Sequence, residues 1–173
     1  LPSLKTFREI ETSSLSLIVP GTGFTYDDAR GWITSDRYRF RTYASDSQEV
    51  TIEAQPRSDS LADLVGSARL VVRVDPKRRV VTGIVYYDRA GNLVRSYEGQ
   101  DFVEVGGCWL PAKVSTQQRE QVLVTEIAYR YVALKRELPA SLFAPSLTPK
   151  PFLERLSEWR DRMGFAAEFP DST

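Results

Sequence analysis

The 173-residue chain contains no histidine and a single cysteine, Cys108. Without imidazole, a serine–histidine triad cannot be assembled, and with one thiol neither can a structural zinc site. One cysteine also excludes an internal disulfide. Carboxylates alone can hold Ca²⁺ or Mg²⁺, but no loop here has the Asp/Gly spacing of an EF-hand, so no metal and no cofactor is expected. No apolar run approaches the ~20 residues that span a bilayer as a helix, so no transmembrane segment is expected. Charge of one sign is missing too: 23 basic and 23 acidic residues balance to zero. No net field therefore favours nucleic acid or an anionic membrane, and no nucleic-acid partner is expected. The chain starts at Leu1 with neither an initiator Met nor a basic-then-apolar leader, which reads as a processed or trimmed product that has lost any targeting signal.

What is present is β-rich. From Ala68 to Tyr131, runs of β-branched and aromatic residues are broken at short intervals by Asp75-Pro76-Lys77-Arg78, Asp88-Arg89-Ala90-Gly91 and Gly106-Gly107. That pattern predicts an antiparallel meander. Asp88 can close its turn with its side chain, Gly91 can take a positive φ, and Pro76 pre-sets φ at its corner. Cys108, between Gly107 and Trp109, reads as a small buried apolar residue because no base lies beside it to lower its pKa.

Ahead of the meander, Leu15, Leu17 and Val19 have strand-like spacing that ends at Pro20-Gly21. Thr25 then caps a short predicted helix with Asp27 and Asp28 in its first turn and Gly31 at its stop. Adjacent carboxylates on a helix point in different directions, so capping explains them better than acid–base catalysis. Residues 35–44 alternate, with Arg37, Arg39 and Arg41 on one face and Tyr38, Phe40 and Thr42 on the other, which predicts a strand with a solvated arginine row. Val50, Ile52 and Ala54 mark its hairpin partner, ended by Pro56. Residues 57–67 read as a loop with one helical turn.

In the meander, Leu70, Val72 and Val74 share a face. The next strand is apolar on both faces: Val80, Ile84 and Tyr86 on one, Val81, Val85 and Tyr87 on the other. Such a strand is covered on both sides or lines a hollow. Gly83, in mid-strand, allows bending or close approach of a group packed across it. A strand over 121–132 carries Leu123, Ile127, Tyr129 and Tyr131 on one face. Beyond it, Phe152, Leu156, Trp159 and Met163 recur with helical spacing, so 151–164 is expected to be an amphipathic helix packed on the sheet, followed by a frayed tail.

The ordered series LPSLKTFREI, GTGFTYDD, VTIEAQP, VVRVDPKRRVVTGIVYYDRAGNLVRSYEGQDFVEVGGCWLPAKV, TEIAY and LPASLFAPSL resembles the outer-membrane lipoprotein-sorting (LolA-like) family of bacterial envelope proteins over roughly residues 1–148. The resemblance implies a mainly β (α+β) fold: a strongly curved antiparallel sheet forming an incomplete barrel, covered by one or a few helices. It also implies an apolar cavity for acyl chains and a place in the periplasm or cell envelope. The sequence departs from the family in two ways. The family's N-terminal helix and first strands precede the segment matched by LPSLKTF, and the helix at 151–164 extends beyond the match. The expected organisation is thus a curved-sheet domain over 1–148 with a helix and tail, 149–173, packed on it.

The function so implied is a non-enzymatic periplasmic carrier or binder of lipid or lipoprotein acyl chains, with envelope proteins as further partners. The alternative is a sensor or protein-interaction module on the same fold. Candidate cavity residues are Tyr38, Phe40, Ile52, Val72, Ile84, Tyr86, Leu123, Ile127 and Tyr129, each of which also fits plain core packing. Catalysis finds little support, because the carboxylate pairs Asp27/Asp28 and Asp59/Asp63 lie outside any apolar strand context that would raise a pKa.

Overall fold

A computed structural model of the chain describes residues 16–19, 22–30, 33–119, 124–129, 131–132 and 167–168. The chain divides into two compact units, one over 11–129 and one made of 1–10 with 130–173. In the second, β8 (Tyr131–Val132) pairs antiparallel with β9 (Ala167–Glu168), so part of the stretch expected to fray is a strand. The helix expected over 151–164 lies outside the described residues, as does Leu123.

The first unit is a seven-stranded meander. Its strands are β1 (Tyr38–Ser45), β2 (Val50–Pro56), β3 (Arg69–Asp75), β4 (Val80–Tyr87), β5 (Leu93–Val105), β6 (Cys108–Gln118) and β7 (Val124–Ala128). Each pairs antiparallel with the next in sequence, and among the described residues β1 and β7 do not close the sheet on themselves. Turn chemistry explains why the chain reverses where it does. Asp88 accepts the Asn92 amide at 2.8 Å, and Gly91 takes φ +82. Asp75 accepts the amides of Lys77 and Arg78 at 2.9 and 3.0 Å. Gly106 and Gly107, both at positive φ, make the tight two-residue turn that suits the strands' twist. Cys108 follows that turn and is exposed rather than buried, because it sits at the hairpin tip, where little packs.

Three bulges interrupt the ladder, between Thr42 and Ala44, Arg73 and Val74, and Tyr86 and Tyr87. The extra residues are Tyr43, Thr82 and Val94. Bulges bend a strand and raise its twist, so three of them work against a flat ribbon in this open sheet. The bulge at Thr82 also flips the alternation of β4. Val81 comes onto the same face as Val74, its cross-strand partner, and packs against the core. Part of the second apolar face of β4 is therefore consumed by the first.

Among the described residues two short helices accompany the sheet, α1 (Tyr26–Arg30) and α2 (Asp59–Val65). Within 57–67, expected to be a loop with one helical turn, α2 is a helix of seven residues: Ser58 Oγ caps it by accepting the Leu61 amide at 3.2 Å, and Gly66 ends it at φ +68. The strand expected over 121–132 is split, since β7 stops at Ala128 and Tyr131 belongs to the other unit's sheet.

The sheet's two faces differ in kind. Register places Ile52, Val72, Ile84, Tyr97 and Thr116 in one cross-strand row, with Ala54, Leu70, Tyr86 and Arg95 in the next. This packed face carries the core cluster, in which Ala54, Leu70 and Ile84 are fully buried. The opposite face carries the charged side chains beside an apolar pair, Val71 and Val85. Arg73 crosses over Gly83 to reach Glu98 at 2.9 Å, and Arg69 lies 4.0 Å over the Tyr87 ring. The close approach that Gly83 permits is thus by an arginine from the neighbouring strand. Among the described residues no helix is long and apolar enough to cross a membrane.

Candidate functional site

Residues 17–19 and 22–30 attach to the packed face through Phe24, which packs against the core cluster, and through a set of polar contacts. Ile18 and Thr25 form an isolated bridge, and the Val19 amide donates to the Phe24 carbonyl at 2.8 Å, which folds the segment into a small hairpin. Its tip docks at Gly23. The Gly23 amide donates to Thr125 Oγ1 at 2.7 Å, while Thr116 Oγ1, fully buried, donates to the Ser96 carbonyl at 2.9 Å and lies 3.4 Å from the Gly23 carbonyl. A Cβ at Gly23 would come within 2.9 Å of the Thr116 methyl, so only glycine fits this approach.

Then α1 begins. Thr25 and Asp28 cap each other: Asp28 accepts from the Thr25 amide at 2.7 Å and from its hydroxyl at 3.0 Å, while the Asp28 amide points back at Thr25 Oγ1 at 3.4 Å. The same carboxylate receives Arg95 from β5 at 2.6 and 3.0 Å, a two-pronged pair. Side-chain exposure is 7% for Arg95 and 11% for Asp28. The guanidinium also lies 3.8 Å over the Tyr86 ring. Burial alone would lower the Arg95 pKa, but Tyr86 and Asp28 beside it raise it above the ordinary value. Burial drives the Tyr86 and Tyr38 hydroxyls upward as well. Asp27 takes a different partner, Arg37, at 2.9 Å. The two adjacent carboxylates thus diverge, as capping residues should, and Arg37 leaves the arginine row that the alternation predicted.

Of the candidate cavity residues, the described ones all lie on this one face, but they do not share one environment. Tyr38, Val72, Ile84 and Tyr86 are buried in the core cluster, and Ile52 is packed against it. Phe40 in β1 is 46% exposed, Ile127 in β7 is 39% exposed, and Tyr129 just beyond β7 is 42% exposed. Apolar surface is therefore spent in the middle of the face and left open along its two edge strands. Next to Ile127 in register is Val114, buried, and Gly99 follows, with Phe102 and Pro111 close above it.

The sequence reading missed Arg95, Thr116 and Gly23. A signal existed for the first: in LVRSYEG, Arg95 shares parity with Tyr97 and Gly99, and a lone charge on a core-facing row needs a buried partner. That the partner is Asp28, 67 residues earlier, has no local sign in the sequence. The other pair, Asp59 and Asp63, gathers around the exposed Arg89 at 3.6 and 2.9 Å, a surface arrangement.

Comparison with known proteins bears on this geometry. A family model described as "Uncharacterized protein" matches residues 1–147. Curated proteins yield no match. Among solved structures, a domain assigned to outer membrane lipoprotein sorting, from Vibrio parahaemolyticus, is similar with a TM-score of 0.70 at 19% identity, over 90% of this chain and 63% of that one. A DUF1329 family protein from Desulfovibrio piger has a TM-score of 0.65 at 15% identity, over 79% and 57%. A LolA superfamily protein from Nitrosomonas europaea has a TM-score of 0.55 at 15% identity, over 83% and 64%. The chain spans less than two thirds of each of these structures. At such identities the likeness concerns the fold, an open antiparallel sheet with few helices. The chain belongs to the family of uncharacterized proteins that matches it over residues 1–147, and its fold is LolA-like.

Proposed function

We propose that the protein is a non-enzymatic binder or carrier of lipid or lipoprotein acyl chains in the bacterial periplasm or envelope. The observation that carries this reading is the uneven use of the packed face: its centre is filled, while Phe40, Ile127 and Tyr129 stay 39–46% exposed on the same face. In this reading Tyr38, Val72, Ile84 and Tyr86 form the floor, and Phe40, Ile52, Ile127 and Tyr129 meet the guest. Each methylene withdrawn from water contributes about 0.8 kcal/mol, so a tail of some ten methylenes binds usefully without a specific polar contact. The LolA-like fold supports the reading, since one of its structural relatives is assigned to lipoprotein sorting. So does the employment of the two candidate carboxylate pairs, Asp27 with Asp28 and Asp59 with Asp63, each member of which faces an arginine.

The test is native mass spectrometry of gently purified protein, with uptake of a fluorescent fatty acid measured in parallel. Co-purified lipid, or saturable uptake that Ile127→Glu weakens, is the expected result. Neither lipid nor uptake would reject the reading.

A further inference from the structure

The edge strand β1 has features that the acyl-chain reading does not use. All of it after Tyr38 is exposed, and among the described residues it has a neighbouring strand on one side only. From Tyr38 to Thr42 it stays in unbroken register with β2, and the shift comes only at the Tyr43 bulge. The Tyr38 amide is taken by the Thr34 carbonyl at 3.0 Å, and from Arg39 onward the strand offers backbone donors and acceptors along its outer edge, a template for another strand.

The side chains on that row are sorted by face. Arg39 and Arg41 project on the face opposite the core, and neither has an acidic partner among the described residues. The carboxylate opposite Arg41 in register is Glu53, which is already engaged by Arg69 at 3.6 Å and by Gln55 Nε2 at 2.9 Å. Between the two arginines Phe40 projects on the packed face, half exposed. Every other arginine of the sheet's strands, Arg69, Arg73 and Arg95, has its carboxylate.

We propose that the outer edge of β1 binds, by strand addition, an extended protein segment in which acidic residues alternate with apolar ones. Backbone pairing supplies the attachment. Acidic side chains opposite Arg39 and Arg41 and an apolar one opposite Phe40 supply the selection, because cross-strand neighbours share a face. The same arrangement disfavours a second copy of β1, which would crowd guanidinium groups onto one face. The backbone edge, Arg39 and Arg41 play no part in the acyl-chain reading, and only Phe40 is common to both.

The probe is a fluorescein-labelled nine-residue peptide of alternating glutamate and valine, followed by anisotropy. Saturable binding is expected, weakened at least tenfold in R39E/R41E and lost when alternate peptide amides are N-methylated. R39K/R41K, which keeps the charge, should retain most of the affinity and shows that the site tolerates substitution. The charge-reversed variant should instead take a lysine–valine peptide. Circular dichroism establishes that each variant is folded. No saturable binding to the unaltered protein overturns the proposal. Equal binding of the N-methylated peptide also overturns it, by reducing the contact to charge alone. Sedimentation showing a dimer that R39E/R41E dissolves would put a second copy on the edge and overturn it as well.

Discussion

Asp28 and Arg95 form one two-pronged ion pair across 67 residues of sequence, and the same Asp28 carboxylate closes the cap of α1. One side chain thus fastens a helix start and ties that helix to the sheet. Removing either charge breaks a two-pronged ion pair at a buried site, a loss of about 3–5 kcal/mol. Arg95→Met and Asp28→Asn should each cost on that order in urea denaturation. Asp28→Ala should cost about 1 kcal/mol beyond Asp28→Asn, because it also removes the cap acceptor. The double variant Asp28→Asn/Arg95→Met should be more stable than the sum of the two losses implies. Strict additivity would mean that the two groups do not sense each other.

Two glycines in tight places are expected to respond differently to alanine. At Gly83 the obstruction is the tip of the flexible Arg73 side chain, which can swing away at the cost of a half-exposed pair with Glu98. Such pairs are worth about 0–1 kcal/mol, so Gly83→Ala should be near neutral. At Gly23 the obstruction is the methyl of Thr116, a buried side chain hydrogen-bonded to Ser96. Gly23→Ala should cost about 1–3 kcal/mol by overpacking. Denaturation midpoints for the two variants decide the matter, and a reversed order would contradict the docking described for Gly23.

Alkaline pH should loosen the core before it affects the turns. Burial, with Tyr129 and Asp28 nearby, pushes the Tyr97 hydroxyl up to about 12, while an unfolded tyrosine ionises near ~10. The fold therefore favours the neutral phenol. Its contribution is complete below the unfolded value and is lost as pH rises through the folded one. Stability should fall across pH 10 to 12, and Tyr97→Phe should flatten that fall. Tyrosinate absorbance read beside denaturation curves measures both.

The turns were legible because their chemistry is local. Asp88 with Gly91, Asp75 with the amides that follow it, and Gly106-Gly107 each carry their own cause within a few residues. Alternation then sorted the strands by face, which is why the described cavity candidates fall on one face of one sheet. Bulges broke that logic at Thr82, where Val81 changed sides, and nothing in VVTGIVYY marks the extra residue. Exposure was illegible for a different reason. Phe40 and Ile84 look alike in a strand pattern, but one sits in the edge strand β1 and the other in the middle of the sheet. Cys108 shows the same limit, since an apolar-looking residue at a hairpin tip has little around it to be buried by.

That difference between edge and centre gives the sharpest separation of packing from function. Ile84 is fully buried, so Ile84→Ala should cost about 2–5 kcal/mol whatever the protein binds. Phe40 and Ile127 already face water over 46% and 39% of their surface, so Phe40→Ser and Ile127→Ser forfeit only part of a side chain's burial. At about 25 cal/mol per Å² of apolar area, each should cost well under what Ile84→Ala does. If the half-exposed residues are there for a guest, fatty-acid uptake should drop severalfold in both serine variants while their denaturation midpoints move little. Uptake that follows stability alone, falling with Ile84→Ala and unchanged at Phe40 and Ile127, would mean that these edge side chains are merely surface.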